Sequence, residues 1–557
     1  MTTILLLMTF CVFSSLSAQE EENYSLFINV PYFEMWTMNP IYGNYYLEGV
    51  QSNELIYSRL WTWKKDISET SDLVDGITPQ SFKTMLIPPK GDGSLWSWKI
   101  KIRQQLKWPD GEPLTAEDIK FTFDVYTADK TESNLKELLS IFKKIEVIDN
   151  ETIKFFVEKE KKLSAKYIIP LVQILPKHKV VTNYLTKNSR FSKEPMGSGP
   201  YQFVPQEQRS PHEKGESKII YEKNDHYYRW GKNSNISAVK VKIESVVADV
   251  INDLVQEPRS EDWSTLDLVL NVPNSQDNFK DLTSKGEHLT FKPYNSNSWY
   301  GIALNCEKPF LKNRDIRMAL TYAVKIEQTI NDRYTTVEKG GTSELVAHRI
   351  SGPFNPLWGV GDNSLQPIKY DRAKAKLLLT NNGVREKNGV RYFDGNPVEL
   401  KLIYNSGRVI KGSSEENVIT DLSKNLKSIG IKVKTVAVDA TSFRDKLARG
   451  DYDMVFQYYE LGSGSNIAAL FSPGNIHNIS HYSQPALTSY MDRFNRSSGV
   501  QKHQYGKNIH QIIYKDAPYI FLYRLDKIMA YRMELETNNQ IVPKYVFTHI
   551  GEWYFNP

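Results

Sequence analysis

Side chains able to cut bonds or hold metal ions are sparse in this chain of 557 residues, which carries 10 His and 2 Cys. His477 and His481 stand at i, i+4, the spacing at which a helix presents two imidazoles to zinc. Pro473, Gly474, Asn475 and Asn478 crowd the same stretch. They predict a loop, so the pair reads as two surface histidines. No His-Glu-x-x-His and no cysteine pair offers another zinc set. Gly462-Ser463-Gly464-Ser465 lacks the Lys-Ser/Thr that completes a phosphate loop, and reads as a flexible loop. Without Gly-x-Ser-x-Gly there is no nucleophile elbow. No catalytic residue, metal site or cofactor is expected.

Groups suited to binding are more plentiful, with 12% aromatic residues. A ligand cleft needs apolar or aromatic walls and a few placed polar groups. Trp299-Tyr300 and Tyr458-Tyr459-Glu460 offer both, and Tyr42, Tyr45 and Tyr46 form a third aromatic group. Core packing is the competing role for each of these rings.

The elements that must position them are mixed. Trp96, Trp98, Ile100 and Ile102 alternate with Ser97, Lys99 and Lys101, the pattern of a half-buried strand. Pro109-Asp110-Gly111 makes a turn. Thr115 with Asp118 three residues on predicts a capping box, with Ile119 and Phe123 behind it on one helix face. Lys144–Ile148 and Thr152–Val157 flank Asp149-Asn150-Glu151 as a hairpin. Val239–Ile243 and Glu399–Tyr404 are further strands. Asn313–Gln328 predicts one helix, with Ile316, Leu320, Ala323 and Val324 on its apolar face. Asp371–Leu379 opens on an N-cap residue. Strand Ile431–Val436, helix Thr441–Arg449 closed by Gly450, and strand Met454–Phe456 make a strand-helix-strand unit, which argues for an α/β sheet.

A chain of this length holds two or three domains. Its net charge of +5 is spread without a long basic run, so no nucleic-acid partner is expected. Ile4–Phe13 is apolar but too short to span a bilayer. With small residues after it and Gln19-Glu20-Glu21-Glu22 beyond, it reads as a signal peptide over residues 1–18. Cleavage after Ser17 or after Ala18 both fit. No Lys or Arg precedes the run, which a start lying upstream would explain. Thr9 and Phe10 before Cys11 do not match a lipoprotein signal. Cys306 is then the one mature cysteine, and no intramolecular disulfide is expected.

As a whole, Trp96–Tyr126 resembles the signature of the peptide/oligopeptide class of extracellular solute-binding proteins, family 5, which serve ABC transporters. Other segments fall in the family's order: Met38-Asn39-Pro40, Leu175-Pro176-Lys177-His178, Gly197-Ser198-Gly199-Pro200-Tyr201 and Leu304-Asn305-Cys306-Glu307-Lys308-Pro309-Phe310. Asn313–Leu320, Tyr370–Leu378 and Gly450-Asp451-Tyr452-Asp453-Met454 complete the set. Their order covers residues from about 26 to about 524.

The resemblance implies an α/β, two-lobed periplasmic-binding-protein fold of the class with an extra domain in the first lobe, hinged between lobes. Expected boundaries are residues 19–58, 196–296 and 521–557 for domain I, 59–195 for a small domain II, and 297–520 for domain III. Crossings are expected near Tyr294–Trp299 and Ala517–Arg524. It implies no enzyme activity, a periplasmic location in a two-membrane cell, an ABC permease as partner, and a monomer. The ligand would be a peptide or another small solute, since the family also includes binders of nickel chelates, oligosaccharides, opines and haem.

It further implies that Tyr42, Tyr45 and Tyr46 run along the ligand. Trp299 and Tyr300 would stand at the lobe crossing, with Tyr458, Tyr459 and Glu460 ending a cleft strand. Arg408, after strand Glu399–Tyr404, is the expected partner of a peptide's carboxylate. Peptide-binding relatives place an Asp after a Gly-Trp to meet the peptide's ammonium. Here Tyr458-Tyr459 replaces Gly-Trp and that Asp is missing. Either Glu460 supplies the charge, or the ligand is not a peptide with a free amino terminus. A secreted hydrolase on an α/β scaffold is the alternative from another class.

Overall fold

The computed structural model describes residues 23–30, 38–41, 53–63, 69–89, 94–131, 133, 135–162, 165–180, 182, 185–186, 189–205, 217–243, 247–272, 276–294, 298–334, 336–339, 342–355, 360–409, 411–460, 467–475, 477–497, 499–538, 541 and 546–556. The signal-peptide reading, Tyr42, Tyr45, Tyr46 and Gly462–Ser465 lie outside these residues. Among the described residues no helix is long and apolar enough to cross a membrane.

Strand β1 (Tyr24–Val30) opens the first lobe. The chain then builds a small sheet from β2 (Leu86–Ile87), β3 (Leu95–Lys101), β4 (Phe142–Asp149) and β5 (Thr152–Glu158), with helix α1 (Ala116–Thr127) between β3 and β4. It returns as β6 (Tyr201–Phe203), β7 (Ser217–Lys223), β8 (Ile236–Ile243), β9 (Leu268–Val269) and β10 (Leu289–Tyr294). The second lobe holds β11 (Ser298–Leu304), α2 (Arg314–Tyr322), α3 (Glu327–Arg333), β12 (Ala347–Arg349), α4 (Arg372–Asn381), β13 (Glu399–Asn405) and α5 (Ser414–Ser428). Next come β14 (Lys432–Val438), α6 (Ala440–Arg449), β15 (Met454–Glu460) and β16 (Tyr519–Leu525), and the chain then re-enters the sheet of β1 as β17 (Lys527–Arg532).

Seven strands form one sheet in the order β10-β17-β9-β1-β8-β7-β6, and six form another, β12-β16-β11-β15-β13-β14. The small sheet runs β2-β3-β5-β4. β13 lies parallel to both β14 and β15, while β11 is antiparallel to β15 and β16. The pleat sorts side chains between cores. Leu26 and Ile28 enter the core shared with the small sheet, and Phe27 between them enters the core that runs under the second sheet.

Local chemistry accounts for the signature segment. Trp98 faces Phe155 and Ile100 faces Ile153 across β3 and β5, all buried, while Lys99 and Lys101 stay exposed. Gly111 donates its N–H to the Trp108 carbonyl (2.9 Å) at φ +87°, a conformation suited to glycine. Thr115 caps α1 and Asp118 closes the capping box, accepting from the Thr115 N–H at 2.9 Å. Ile119 and Phe123 bury beneath, and Phe123 meets the Phe155 ring edge-on at 4.8 Å. Each such burial stabilises by roughly 1.5–3 kcal/mol.

The signature also ties distant segments together. Asp118 accepts from the Lys177 N–H (2.9 Å), and Asp110 pairs with both His178 and Lys179 at 2.9 Å. Gly199 donates to the Ile56 carbonyl at 2.6 Å. A Cβ at position 199 would lie 2.6 Å from the Ile56 carbonyl carbon, so only glycine admits this approach.

Two readings from sequence change. The single helix over Asn313–Gln328 is two, α2 and α3. The Tyr322 carbonyl accepts from the Asp371 N–H (2.8 Å) and the Lys325 carbonyl accepts from Asn425 (3.1 Å). Partners distant in sequence thus meet carbonyls that a continuous helix would use, and Ala323, Val324 and Ile326 all bury. Residues 521–525, expected in domain I, belong to β16 of the second lobe's sheet, because Tyr519–Tyr523 pair with Tyr300–Ala303. One residue, Asp526, separates β16 from β17 in the other sheet. Its N–H donates to the Val346 carbonyl (2.8 Å), and its carboxylate meets His348 (3.0 Å) and Arg524 (3.1 Å).

Candidate ligand-binding edge of the second lobe

Both connections between the two large sheets leave from one edge of the six-stranded sheet. β10 ends at Tyr294 and β11 begins at Ser298; β16 ends at Leu525 and β17 begins at Lys527. Ser298 stands opposite Glu460, and Tyr300 opposite Tyr458 and Tyr523. The carboxyl ends of the parallel strands β13, β14 and β15 reach the same edge. In open α/β sheets, ligands bind outside such ends.

Trp299 and Tyr459 pair across β11 and β15 on one face. Their rings stack at 4.3 Å between centroids and 21° between planes. Phe521 and Tyr519 close the sides at 5.2 and 5.7 Å. Tyr459 donates its hydroxyl to that of Tyr519 at 3.3 Å. Burial drives the Tyr459 pKa well above its ordinary value. At 3% and 9% exposure, Trp299 and Tyr459 are core residues of this lobe. Among the described residues, the buried indole Nε1–H of Trp299 meets no hydrogen-bond partner.

Tyr300 and Tyr458 occupy the other face, 5.1 Å apart and partly exposed. Tyr300 also stacks on Tyr523 at 4.8 Å and 21°. A β-bulge makes this contact. Tyr300 pairs with Tyr523 but Gly301 pairs with Phe521, leaving Leu522 as the extra residue. Strict alternation would send Tyr523 to the Trp299 face; instead it joins Leu522 in the opposite core. Tyr523 and Tyr334 share a hydroxyl hydrogen bond of 2.7 Å. Tyr300 donates to Glu415 Oε1 at 3.1 Å. Burial, then the Glu415 charge, raises the Tyr300 pKa well above 10.

Arg408 lies in the exposed turn after β13, its N–H donating to the Asn405 carbonyl at 3.1 Å. Glu460 ends β15 opposite Ser298, and its backbone alone is described. Tyr300 and Tyr458 thus stand on paired strands at this edge, with the backbone of Glu460 beyond them, and Arg408 lies in the turn after β13, while Trp299 and Tyr459 turn into the core. Tyr334, Tyr523 and Glu415 were missed from sequence. Tyr523 depends on the bulge, and Glu415 reads locally as an ordinary acid in a helix's first turn.

Outside this edge, Ser351, His510 and Asp362 come together in the residue types of a hydrolase triad. Ser351 Oγ is 3.3 Å from His510 Nε2. The Asp362 N–H donates to Nδ1 at 3.1 Å, so the neutral ring carries its proton on Nε2, facing the serine. A base for Ser351 needs the opposite tautomer. The Asp362 carboxylate accepts instead from Ser364 (2.6 Å) and Gln511 (2.7 Å). Burial lowers the His510 pKa to about 4. These three residues are a packing cluster. His481 Nε2 meets the Tyr452 hydroxyl at 3.0 Å, and the described residues contain no group of three metal-binding side chains.

The family model for the middle part of bacterial extracellular solute-binding proteins, family 5, matches residues 95–473. Oligopeptide-binding protein AppA of Bacillus subtilis is 25% identical over 478 residues, covering 83% of this chain and 81% of that protein. In fold, a putative peptide-binding protein AppA from Clostridium difficile superposes with a TM-score of 0.74 at 22% identity, covering 96% of this chain and 100% of its own. NikZ from Campylobacter jejuni, solved with Ni(L-His), gives 0.69 at 21% identity, covering 95% and 99%. The relatives are binding proteins by name, and the two-lobed α/β architecture is theirs as well. The chain belongs to the bacterial extracellular solute-binding proteins of family 5.

Proposed function

We propose that the protein captures a peptide or similar small solute between its lobes and delivers it to an ABC permease, without changing it chemically. The observation that carries this reading is the edge itself. Both interlobe connections leave from the end of the sheet where Tyr300, Tyr458 and Glu460 stand on paired strands. A solute held there touches the segments that any lobe rotation must move. It shifts the open–closed equilibrium by its better affinity for the closed form. Going from mostly open to mostly closed takes about 5.5 kcal/mol of differential affinity.

Peptide cargo is favoured by the likeness to an oligopeptide-binding protein. A metal chelate is the second reading, since NikZ was solved with Ni(L-His) and the ammonium-binding Asp of peptide binders is replaced here. The working place is outside the cytoplasmic membrane, in a periplasm, after removal of residues 1–18. The mature protein is a monomer whose first lobe combines domain I with the small domain II.

Thermal-shift screening against peptide pools, oligosaccharides and nickel–histidine tests the ligand class. Ligand at one hundred times its dissociation constant adds about 2.7 kcal/mol of stability. X-ray scattering on the hit should show a smaller radius of gyration. A hit that stabilises and leaves scattering unchanged refutes hinge closure, and turnover of a labelled peptide refutes the non-enzymatic reading.

A further inference from the structure

Glu415 is a carboxylate among tyrosines. It sits in the first turn of α5, half-buried, and accepts the Tyr300 hydroxyl at 3.1 Å. Tyr300 stacks on Tyr523, Tyr523 packs on Tyr334 at 5.3 Å, and Tyr458 lies 5.1 Å from Tyr300. Tyr334 also feels the Glu415 charge at close range. Among the described residues no Lys, Arg or His forms an ion pair with Glu415. The helix start does not need it either. Ser413 accepts from the Glu416 N–H (3.2 Å), and Glu416 in turn accepts from the Gly412 N–H (2.6 Å).

Neutral hydroxyls solvate a carboxylate without supplying a countercharge. A half-buried charge without a counterion is unfavourable, and one brought by a ligand would be attracted more strongly than in water. Tyrosine ring faces add attraction for the same sign of charge. Tyr300, Tyr458 and Glu415 keep part of their surface exposed, while Tyr334 and Tyr523 are buried. The bulge in β16 brings Tyr523 to this face.

We infer that Glu415, with the partly exposed rings of Tyr300 and Tyr458 and backed by the buried Tyr523 and Tyr334, receives a positively charged group of the bound solute, an ammonium or a guanidinium. The inference rests on the solute-binding reading and deepens it. Glu415 takes the role that the sequence offered to Glu460. The cation is either a peptide's amino terminus or a Lys or Arg side chain, and the probes separate these.

The test is calorimetry with three tetrapeptides of alanine. One is acetylated and amidated; one is amidated with a free amino terminus; one is blocked at both ends with Arg at its second position. The intact protein is expected to favour a cation-bearing peptide over the neutral one by tenfold or more. Glu415→Gln keeps the shape and the oxygen that meets Tyr300, and should abolish that preference while leaving the neutral peptide unaffected. Glu415→Asp, with the charge one methylene further back, should reduce the preference without abolishing it. It also serves as the second variant if the first does not fold, folding being checked by melting. An unchanged preference in the variants, or none in the intact protein, overturns the inference while peptide binding stands. If the intact protein binds none of the three, the peptide reading fails, and the cation site fails with it.

Discussion

The indole of Trp299 lies flat against the ring of Tyr459, 4.3 Å between centroids, and both are shut away from solvent. The pair holds β11 to β15 at the edge from which the interlobe connections depart. Trp299→Ala should therefore act on stability. Truncating a buried aromatic of this kind costs about 3–5 kcal/mol, read as a lower urea midpoint. Trp299→Phe should cost less, because a ring remains to stack. A variant as stable as the parent would show that the stack contributes nothing.

Arg408 is expected to sort peptides by their carboxyl end, and Glu460 is to be tested against Glu415 at the amino end. Where burial is deep, leaving one member of an ion pair alone costs about 3–5 kcal/mol, which is more than a hundredfold in affinity. Arg408→Ala should lose peptides with a free carboxylate and tolerate amidated ones. Glu460→Gln should lose those with a free amino terminus only if Glu460, rather than Glu415, meets that charge. Binding of all end-blocked and free peptides like the parent would remove both residues from the site.

Arg59 and Glu54 form a buried pair at 2.6 Å, with side chains 1% and 4% exposed. Glu54 also accepts from Gln173 (3.4 Å) and Thr548 (3.3 Å), so the pair joins the start of the chain to its final segment. Arg59→Ala leaves a buried carboxylate uncompensated and should cost about 3–5 kcal/mol. Arg59→Met with Glu54→Leu should recover most of that loss. Chemical denaturation of the three proteins decides it.

His510 sets a pH dependence. Folding lowers its pKa from 6.5 to about 4 through burial. Between those values the unfolded chain binds a proton that the folded one refuses. Its contribution is therefore present above pH 6.5 and is lost as pH falls toward 4, up to about 3 kcal/mol in all. Unfolding measured at pH 7 and pH 4.5 should show a smaller drop for His510→Gln than for the parent. Equal drops would locate the acid sensitivity elsewhere.

Cys306 should be a slow thiol. Burial raises its pKa from 9.0 to about 11, so thiolate is scarce at neutral pH. Alkylation by iodoacetamide should be slow in the native protein and fast in urea. Equal rates would contradict that burial.

What was legible in sequence was local. Thr115 and Asp118 cap α1 through partners within three residues, and Phe123 follows from helical spacing. The α2–α3 break was not legible, since Asp371, far along the chain, supplies the N–H that takes the Tyr322 carbonyl. The site divides in the same way. Tyr300 and Tyr458, expected near a cleft from the family resemblance, stand on the partly exposed face of the sheet. Whether Trp299 and Tyr459 would line a cleft or a core was decided by register across β11 and β15. Tyr523 reached Tyr300 through a bulge that no spacing in β16 announces.

Asp526 has a mechanical consequence. Its N–H and its carboxylate are all held by Val346, His348 and Arg524, which belong to the second lobe. In the lobe closure proposed above, it would move with that lobe. Along this connection, the pivot of any swing is displaced to the Lys527 side, at the root of β17. There the lever arm begins inside the seven-stranded sheet, and twist applied at the root passes directly to β9 and β10, the two strands that flank β17.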